Sequence, residues 1–342
     1  MPLPLWKAAP RAFLHFNILK SFPKTVVQSL GLYLRQSLEK FSSKPLLLVF
    51  SISPDHLRLW YFLAKKRIRM EDWRLVIVDS AGTFDPKLFP DAEVYRFLNI
   101  YHGRKIDFFL RHLSSEEIFI CDDDKYLERA IDSELRLLKN LDVAAVSLCS
   151  RNSFSFVIGG VHHKPMGSYA LLFKKSAIIE NNLFFQSPRY AVSTYKEFPV
   201  GVKHQFGYDT ADYANEKLLL AGFEIPCADG AVTGFDGLST SFVFLSSYSK
   251  RDVTEMLLGA RHYSGGSVNG AVMRSIYCRT QFEEVFKAVF NENPIFMSGY
   301  SGTEVRAIIQ ANLFLDPLQK KDILGYCDAM DNVREKLIRQ AI

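Results

Sequence analysis

From Lys44-Pro45 onward the chain alternates short apolar runs of strand length with stretches of helical spacing, and this alternation restricts it to an α/β sheet. Leu46 to Ile52, Trp73 to Val78, Ala92 to Leu98, Glu117 to Cys121, Val143 to Leu148, Phe154 to Val161 and Tyr169 to Phe173 read as strands. Between them His56 to Arg67, opened by the cap and first-turn proline of Ser53-Pro54-Asp55, has helical spacing, as do Ile106 to Leu113 and Tyr126 to Leu141. Asp209 to Ala221 is a further helix, closed by Gly222. Beyond residue 280 the pattern is helical, over Gln281 to Phe290, Gly302 to Phe314 and Leu318 to Gln340. The expected division is a basic helical extension over 1–44, an α/β domain over 45–270 and a helical region over 271–342.

With 342 residues, 48% hydrophobic and 28 of them Phe, the chain is long and apolar enough to bury a large core. It has no run near the roughly 20 apolar residues of a membrane span, and no secretory signal pattern. Its five cysteines, Cys121, Cys149, Cys227, Cys278 and Cys327, lie far apart without C-x-x-C spacing and read as reduced thiols of a cytoplasmic protein. Lys7, Arg11, Lys20, Lys24, Arg35, Lys40 and Lys44 oppose Glu39 alone, so residues 1–44 carry +6 of a total of +5 and the rest is near neutral. Interleaved with Trp6, Phe13, Phe16 and Phe22, this segment either lies on an anionic membrane surface or packs its apolar face on the domain that follows. Charge without a recognition motif gives no reason to expect nucleic acid as a partner.

The run Ile118-Phe119-Ile120-Cys121-Asp122-Asp123-Asp124 ends a buried strand in three carboxylates, which repel one another unless solvated, paired or bound to a cation. Strand alternation would place Asp122 and Asp124 on one side and Asp123 on the other. Two hard oxygen donors suit one Mg²⁺ or Mn²⁺, which takes a few carboxylates together with substrate phosphates. The bland alternative is an acidic turn that caps the next helix.

Five segments between residues 45 and 265, in this order, resemble the GT-A glycosyltransferases, and among them a family-2-like bacterial enzyme. They are Leu46 to Asp79, His102-Gly103-Arg104-Lys105-Ile106-Asp107, the acidic run as a D-x-D signature, Tyr169 to Ser176 with Leu183-Phe184-Phe185, and Gly207-Tyr208-Asp209-Thr210-Ala211-Asp212-Tyr213. The resemblance implies a mixed sheet flanked by helices, carrying a nucleotide-diphospho-sugar donor, UDP-linked in the first instance, over its C-terminal edge. It implies that Asp79 meets the nucleoside, that Arg104 and Lys105 meet the diphosphate, and that Asp122 and Asp123 lie at the donor. Asp122 and Asp124 would hold Mn²⁺ or Mg²⁺, with His262 as a late ligand. The acceptor would be a hydroxyl on a glycan, a lipid-linked molecule or a protein. Where inverting members carry a Glu-Asp pair this chain has Asp209 and Asp212, three apart, so the general base is one of these two if configuration inverts.

Each candidate has an ordinary counterpart. Arg104 and Lys105 also read as a solvated helix face, Asp209 and Asp212 as acids favoured in a first helical turn, and His262 as a loop histidine. His162 and His163 lack partners at zinc spacing. A haloacid-dehalogenase-like phosphatase would carry its aspartates on the first strand, a prenyl synthase would carry D-D-x-x-D on helices, and a nucleotidyltransferase would show a Gly-rich loop after Phe50. The remaining rival is a non-catalytic module of the same fold that binds a glycan or a protein partner.

Overall fold

The computed structural model describes residues 18–33, 43–81, 84–150, 153–188, 190–199, 207–239, 241, 245, 249–258 and 266–342. The chain divides into two compact units: residues 24–52 and 64–233 form one, and residues 1–23, 53–63 and 234–342 form the other. This division does not follow the linear one at 44 and 270, because the segment after the first strand groups with the C-terminal helices.

The first unit is built on a six-stranded mixed sheet, which is the expected fold class. Its strands are β1 (Leu46–Ser51), β2 (Arg74–Asp79), β3 (Ala92–Arg96), β4 (Glu117–Asp122), β6 (Ala145–Ser147) and β9 (Ala170–Lys174), and β5 (Lys125–Leu127) follows β4 directly. The order across the sheet is β3-β2-β1-β4-β9-β6. β3, β2, β1 and β4 run parallel, and β9 pairs antiparallel with both β4 and β6. Every residue of β1 is buried, as a strand covered on both faces must be. The core gathers Leu46, Leu48, Phe50, Val76, Val78, Ile118, Ile120, Leu171 and Phe173 with Ile106 and Phe109 of α3 (His102–His112).

α1 (Ile18–Tyr33) contributes Leu32 to this core, and its Ser29 hydroxyl accepts from the Leu98 amide at 3.2 Å. For this helix the packing alternative holds, although Val27 and Leu30 stay exposed. Residues 1–17 and 34–42 of the basic segment lie outside the described residues. Among the described residues no helix is long and apolar enough to cross a membrane.

Two expectations fail locally. The helix predicted over Tyr126 to Leu141 is reduced to α4 (Asp132–Leu138), because the chain reverses straight after the acidic run into β5, where Tyr126 and Leu127 are buried and the Glu128 amide donates to the Ala231 carbonyl. The pattern His162-His163-Lys164-Pro165-Met166-Gly167 reads as a polar turn in sequence, whereas His162 and His163 belong to β8 (Val161–His163). β8 pairs with β7 (Ser155–Ile158) across Gly159-Gly160, both at positive φ as the tight hairpin requires. β10 (Lys196–Glu197) adds to the other edge of β7. α5 (Lys175–Glu180) follows β9, and α6 (Asp212–Leu220) ends at Gly222, whose φ of 86° closes the helix as expected.

The other unit is helical and contains α2 (Pro54–Ala64, through Leu63), α7 (Lys250–Leu257), α8 (Gly266–Phe290), α9 (Gly302–Ala311) and α10 (Pro317–Ala341). Arg279 of α8 is fully buried; its guanidinium donates to His56 Nε2 at 2.7 Å and to the Phe296 carbonyl, and lies 3.4 Å from Glu283. Asp55 accepts from the Ile295 amide at 2.7 Å.

Candidate active site

β4 ends at Asp122, opposite Phe50 of β1, and Asp123 and Asp124 form the turn into β5. Strand alternation therefore stops one residue before it could place Asp122 and Asp124 on a shared face, and the turn sets their directions instead. Asp123 accepts from the Ser51 hydroxyl at the end of β1 and is 4% exposed. Burial raises its pKa, with the Asp124 and Asp122 charges acting in the same sense. Asp124 is also buried.

Asp122 differs from both. Its Oδ1 is enclosed and has no hydrogen-bond partner among the described residues, while the side chain as a whole is 33% exposed. Burial pushes its carboxyl up to about 7, against the pull of the Lys125 and Lys105 ammonium groups.

Facing Asp122 stands His102, the first residue of α3, its ring set edge-on against Phe50 at 5.1 Å. Its Nε2 is likewise enclosed, has no hydrogen-bond partner among the described residues and lies 3.6 Å from Asp122 Oδ1, beyond hydrogen-bond length. Burial, aided by the Lys105 charge and opposed by that of Asp209, lowers the His102 pKa to about 3, so the ring is neutral. In sequence His102 stands out only as the start of the His102–Asp107 segment, directly before a helical glycine.

The two cations of that segment part company. Lys105 is buried and donates to Ser80 Oγ and Asn99 Oδ1, each at 3.2 Å, with its ammonium 5.6 Å from the Phe50 ring centre. Burial lowers its pKa to about 8, and the charges of Asp122 and Asp123 oppose the fall. Arg104 is exposed and lines a cavity of about 740 Å³ together with Tyr101, His102, Gln186, Ser187, Pro188, Tyr190, Ala191, Val192 and Gly207 to Thr210.

The cavity wall is tied down from several elements. The Asp107 carboxylate of α3 accepts from the Phe185 and Gln186 amides at 2.7 and 3.0 Å, and Gly103 permits that close approach: a Cβ there would stand 2.8 Å from Gln186 Cα. Ser187 donates its hydroxyl to the Asp209 carbonyl, Val192 bridges to Gly207, and Lys196 donates to the Gly207 carbonyl at 2.7 Å. Tyr208 donates to the buried Glu216 at 2.8 Å.

Asp209 is exposed on this wall, its Oδ1 accepting from the Thr210 amide at 2.7 Å. Asp212 is not in the wall. It is 1% exposed, and its Oδ2 accepts from Lys196 Nζ and from the Asp209 amide, both at 2.9 Å. Asp79 is fully buried, its oxygens accepting from the Ala81 and Phe84 amides at 3.0 and 3.1 Å, with Arg96 Nε 3.7 Å away. Its carboxylate shapes the loop after β2. His262 lies outside the described residues, and among those described no group of three His, Cys, Asp or Glu is placed to hold a metal ion.

Neither a protein-family model nor a curated protein matches the chain. Among solved structures it is similar to the mannosyltransferase PcManGT from Pyrobaculum calidifontis in complex with GDP-Man and Mn²⁺, at 12% identity over 98% of this chain and 96% of that one, with a TM-score of 0.38. TarS 1–349 of S. aureus in complex with UDP-GlcNAc is similar at 12% identity over 85% and 92% of the two chains, TM-score 0.37. A glucose-1-phosphate thymidylyltransferase from Bacillus anthracis is similar at 9% identity over 57% and 90%, TM-score 0.38. Likeness at this level assigns no activity to the chain.

Proposed function

We propose that the chain is a glycosyltransferase that moves a sugar from a nucleotide-diphospho donor to an acceptor hydroxyl at the C-terminal edge of its sheet. One observation carries the reading: Asp122 Oδ1, enclosed and without a partner among the described residues, stands at the end of β4 beside His102, which itself lines the cavity that holds Asp209. An orphaned carboxylate oxygen is costly unless a ligand completes it.

The residues fit a divalent ion in part. Asp122 offers an oxygen, Asp124 lies two residues on, and the neutral His102 nitrogen 3.6 Å from Asp122 could share the same ion. One or two carboxylates plus substrate phosphates are the usual set for Mg²⁺, and Mn²⁺ accepts a nitrogen as well. When bound, such an ion would supply Lewis acidity for the departing diphosphate. Lys105, whose charge acts on Asp122, adds positive charge near this acid. Asp209 takes the proton of the attacking hydroxyl, in preference to Asp212, whose carboxylate is committed to Lys196. No disulfide joins any two of the five cysteines, which suits the cytoplasmic setting inferred here.

The test is thermal unfolding with UDP, GDP, CDP or ADP, with and without Mn²⁺. A nucleotide that binds the native state raises the midpoint, and the shift should require Mn²⁺ and vanish in Asp122→Asn. No shift with any nucleotide would refute the transferase reading and favour a non-catalytic module. A shift that persists in Asp122→Asn would remove the metal from it.

A further inference from the structure

We propose that the acceptor is an anionic saccharide whose negative group is read by Arg104, an inference that rests on the transferase reading above. Arg104 and Lys105 are neighbours in sequence, yet the helix turns them toward different places. Lys105 is buried among Ser80, Asn99 and the acidic end of β4. Arg104 stands in the cavity wall, where its neighbour is the Tyr101 ring, 6.0 Å from guanidinium carbon to ring centre. No carboxylate pairs with it among the described residues. The cation at the donor-side acids is therefore Lys105, and the cation in the cavity with Asp209 is Arg104.

The rest of the wall suits a sugar. Tyr101 and Tyr190 are 73% and 91% exposed and both line the cavity, so two aromatic side chains are open to its contents. Tyr190 has φ 67°, in the left-handed region that a bulky residue seldom adopts. Aromatic faces with a few fixed polar groups are the usual lining of an organic-ligand site, and about 740 Å³ falls within the usual size range of such sites.

Charge then orients the occupant. Asp209 on one part of the wall repels an anion and attracts a hydroxyl proton, whereas Arg104 on another offers a planar fork to two oxygens. A molecule that satisfies both carries a hydroxyl at one end and a carboxylate or phosphate at the other. The guanidinium accepts either anion, so the two sources are separated by experiment.

The full chain, with Mn²⁺ and each nucleotide in turn, would be titrated calorimetrically with glycerol 3-phosphate, glucuronate and the neutral glycerol and glucose. A charge-assisted contact predicts that at least one anionic probe binds roughly tenfold or more tightly than its neutral counterpart. The pair that shows the preference names phosphate or carboxylate. Arg104→Gln should bring the anionic probe down to the neutral one's affinity, Arg104→Lys should keep part of the preference, and Tyr190→Ala should weaken charged and neutral sugars alike. Equal binding of charged and neutral probes to the unaltered protein overturns the proposal, as does a preference that survives Arg104→Gln. Arg104→Gln weakening the nucleotide and not the anionic sugar would also overturn it, returning Arg104 to the donor. If no nucleotide binds, the transferase reading fails by itself, and the probe comparison still decides whether Arg104 reads an anion. Far-ultraviolet circular dichroism of each variant checks the fold.

Discussion

Replacing Gly103 by Ala should destabilise the protein even though it places a better helix former inside α3. An added Cβ would meet Gln186 Cα and N at 2.8 Å and the Phe185 carbonyl carbon at 2.9 Å. All three are backbone atoms, so no rotamer change relieves the overlap. Forcing a methyl into a filled space costs about 1–3 kcal/mol. The relief available is movement of the 185–186 segment away from the helix, which stretches the two amide bonds to Asp107, each worth about 1.5–3 kcal/mol with an ionised acceptor. Against this stands a helix-propensity gain of at most about 1 kcal/mol. With one of the two bonds lost, the balance is a loss of about 2–4 kcal/mol. Gly325 in α10 supplies the control, since a Cβ there meets nothing within 4 Å; Gly325→Ala should stabilise by up to about 1 kcal/mol through propensity alone. Urea unfolding of both variants decides the matter. If Gly103→Ala matched Gly325→Ala in sign, α3 would not rest on the cavity wall as described, and the wall's rigidity would need another source.

Lys196→Met should cost about 3–5 kcal/mol, because it strands the Asp212 carboxylate in a site where both side chains are nearly inaccessible. Lys196→Met with Asp212→Asn should recover much of that, since the amide oxygen can still accept from Asp209 N–H; a double-mutant cycle on unfolding free energies measures the coupling. Acid should weaken the helical unit through His56, which burial, together with the Arg279 charge, holds well below its usual pKa and whose Nε2 accepts from Arg279. The unfolded chain then binds the proton that the native state refuses, so stability is intact above about pH 6.5 and falls below it by up to about 1.4 kcal/mol per pH unit. His102, also held neutral by burial, adds a slope of the same sign, so unfolding free energies between pH 5 and 8 should show both, and His56→Gln should remove only the His56 share.

Strand positions were legible because the sheet is buried on both faces. The runs Leu46 to Ser51, Arg74 to Asp79 and Glu117 to Asp122 needed no knowledge of their partners to be recognised. What followed the acidic run was not legible. The stretch from Tyr126 has apolar spacing that a helix and a strand followed by a short helix satisfy equally, and the choice is made by the Ala231 carbonyl, about a hundred residues downstream. The same limit applies to the histidines: in sequence His162-His163, close to Pro165 and Gly167, has the pattern of a turn, whereas Gly159-Gly160 just before them has the positive φ that the turn uses. The candidate acids fall at the end of β4 and around the start of α6, but their duties depend on which backbone amides reach them, and that is a tertiary property.

Those duties divide the acidic residues in a way that bears on chemistry. Asp79, Asp123 and Asp212 each give oxygens to the scaffold: to the loop after β2, to Ser51 at the end of β1, and to Lys196 with the Asp209 amide. A carboxylate so engaged would have to break internal bonds before serving a ligand. Asp122 has an enclosed oxygen without such a bond among the described residues, and Asp209 stands exposed on the cavity wall. The scaffold acids hold the loops that place these two: Ser51 ties Asp123 beside Asp122, and Asp212 fixes the Asp209 amide at the start of α6. Asp212→Asn should therefore leave an acid on the wall and impair function mainly through its position, whereas Asp209→Asn removes the acid and leaves the position. If the two variants gave the same loss of turnover with the same pH profile, that division of labour would be wrong.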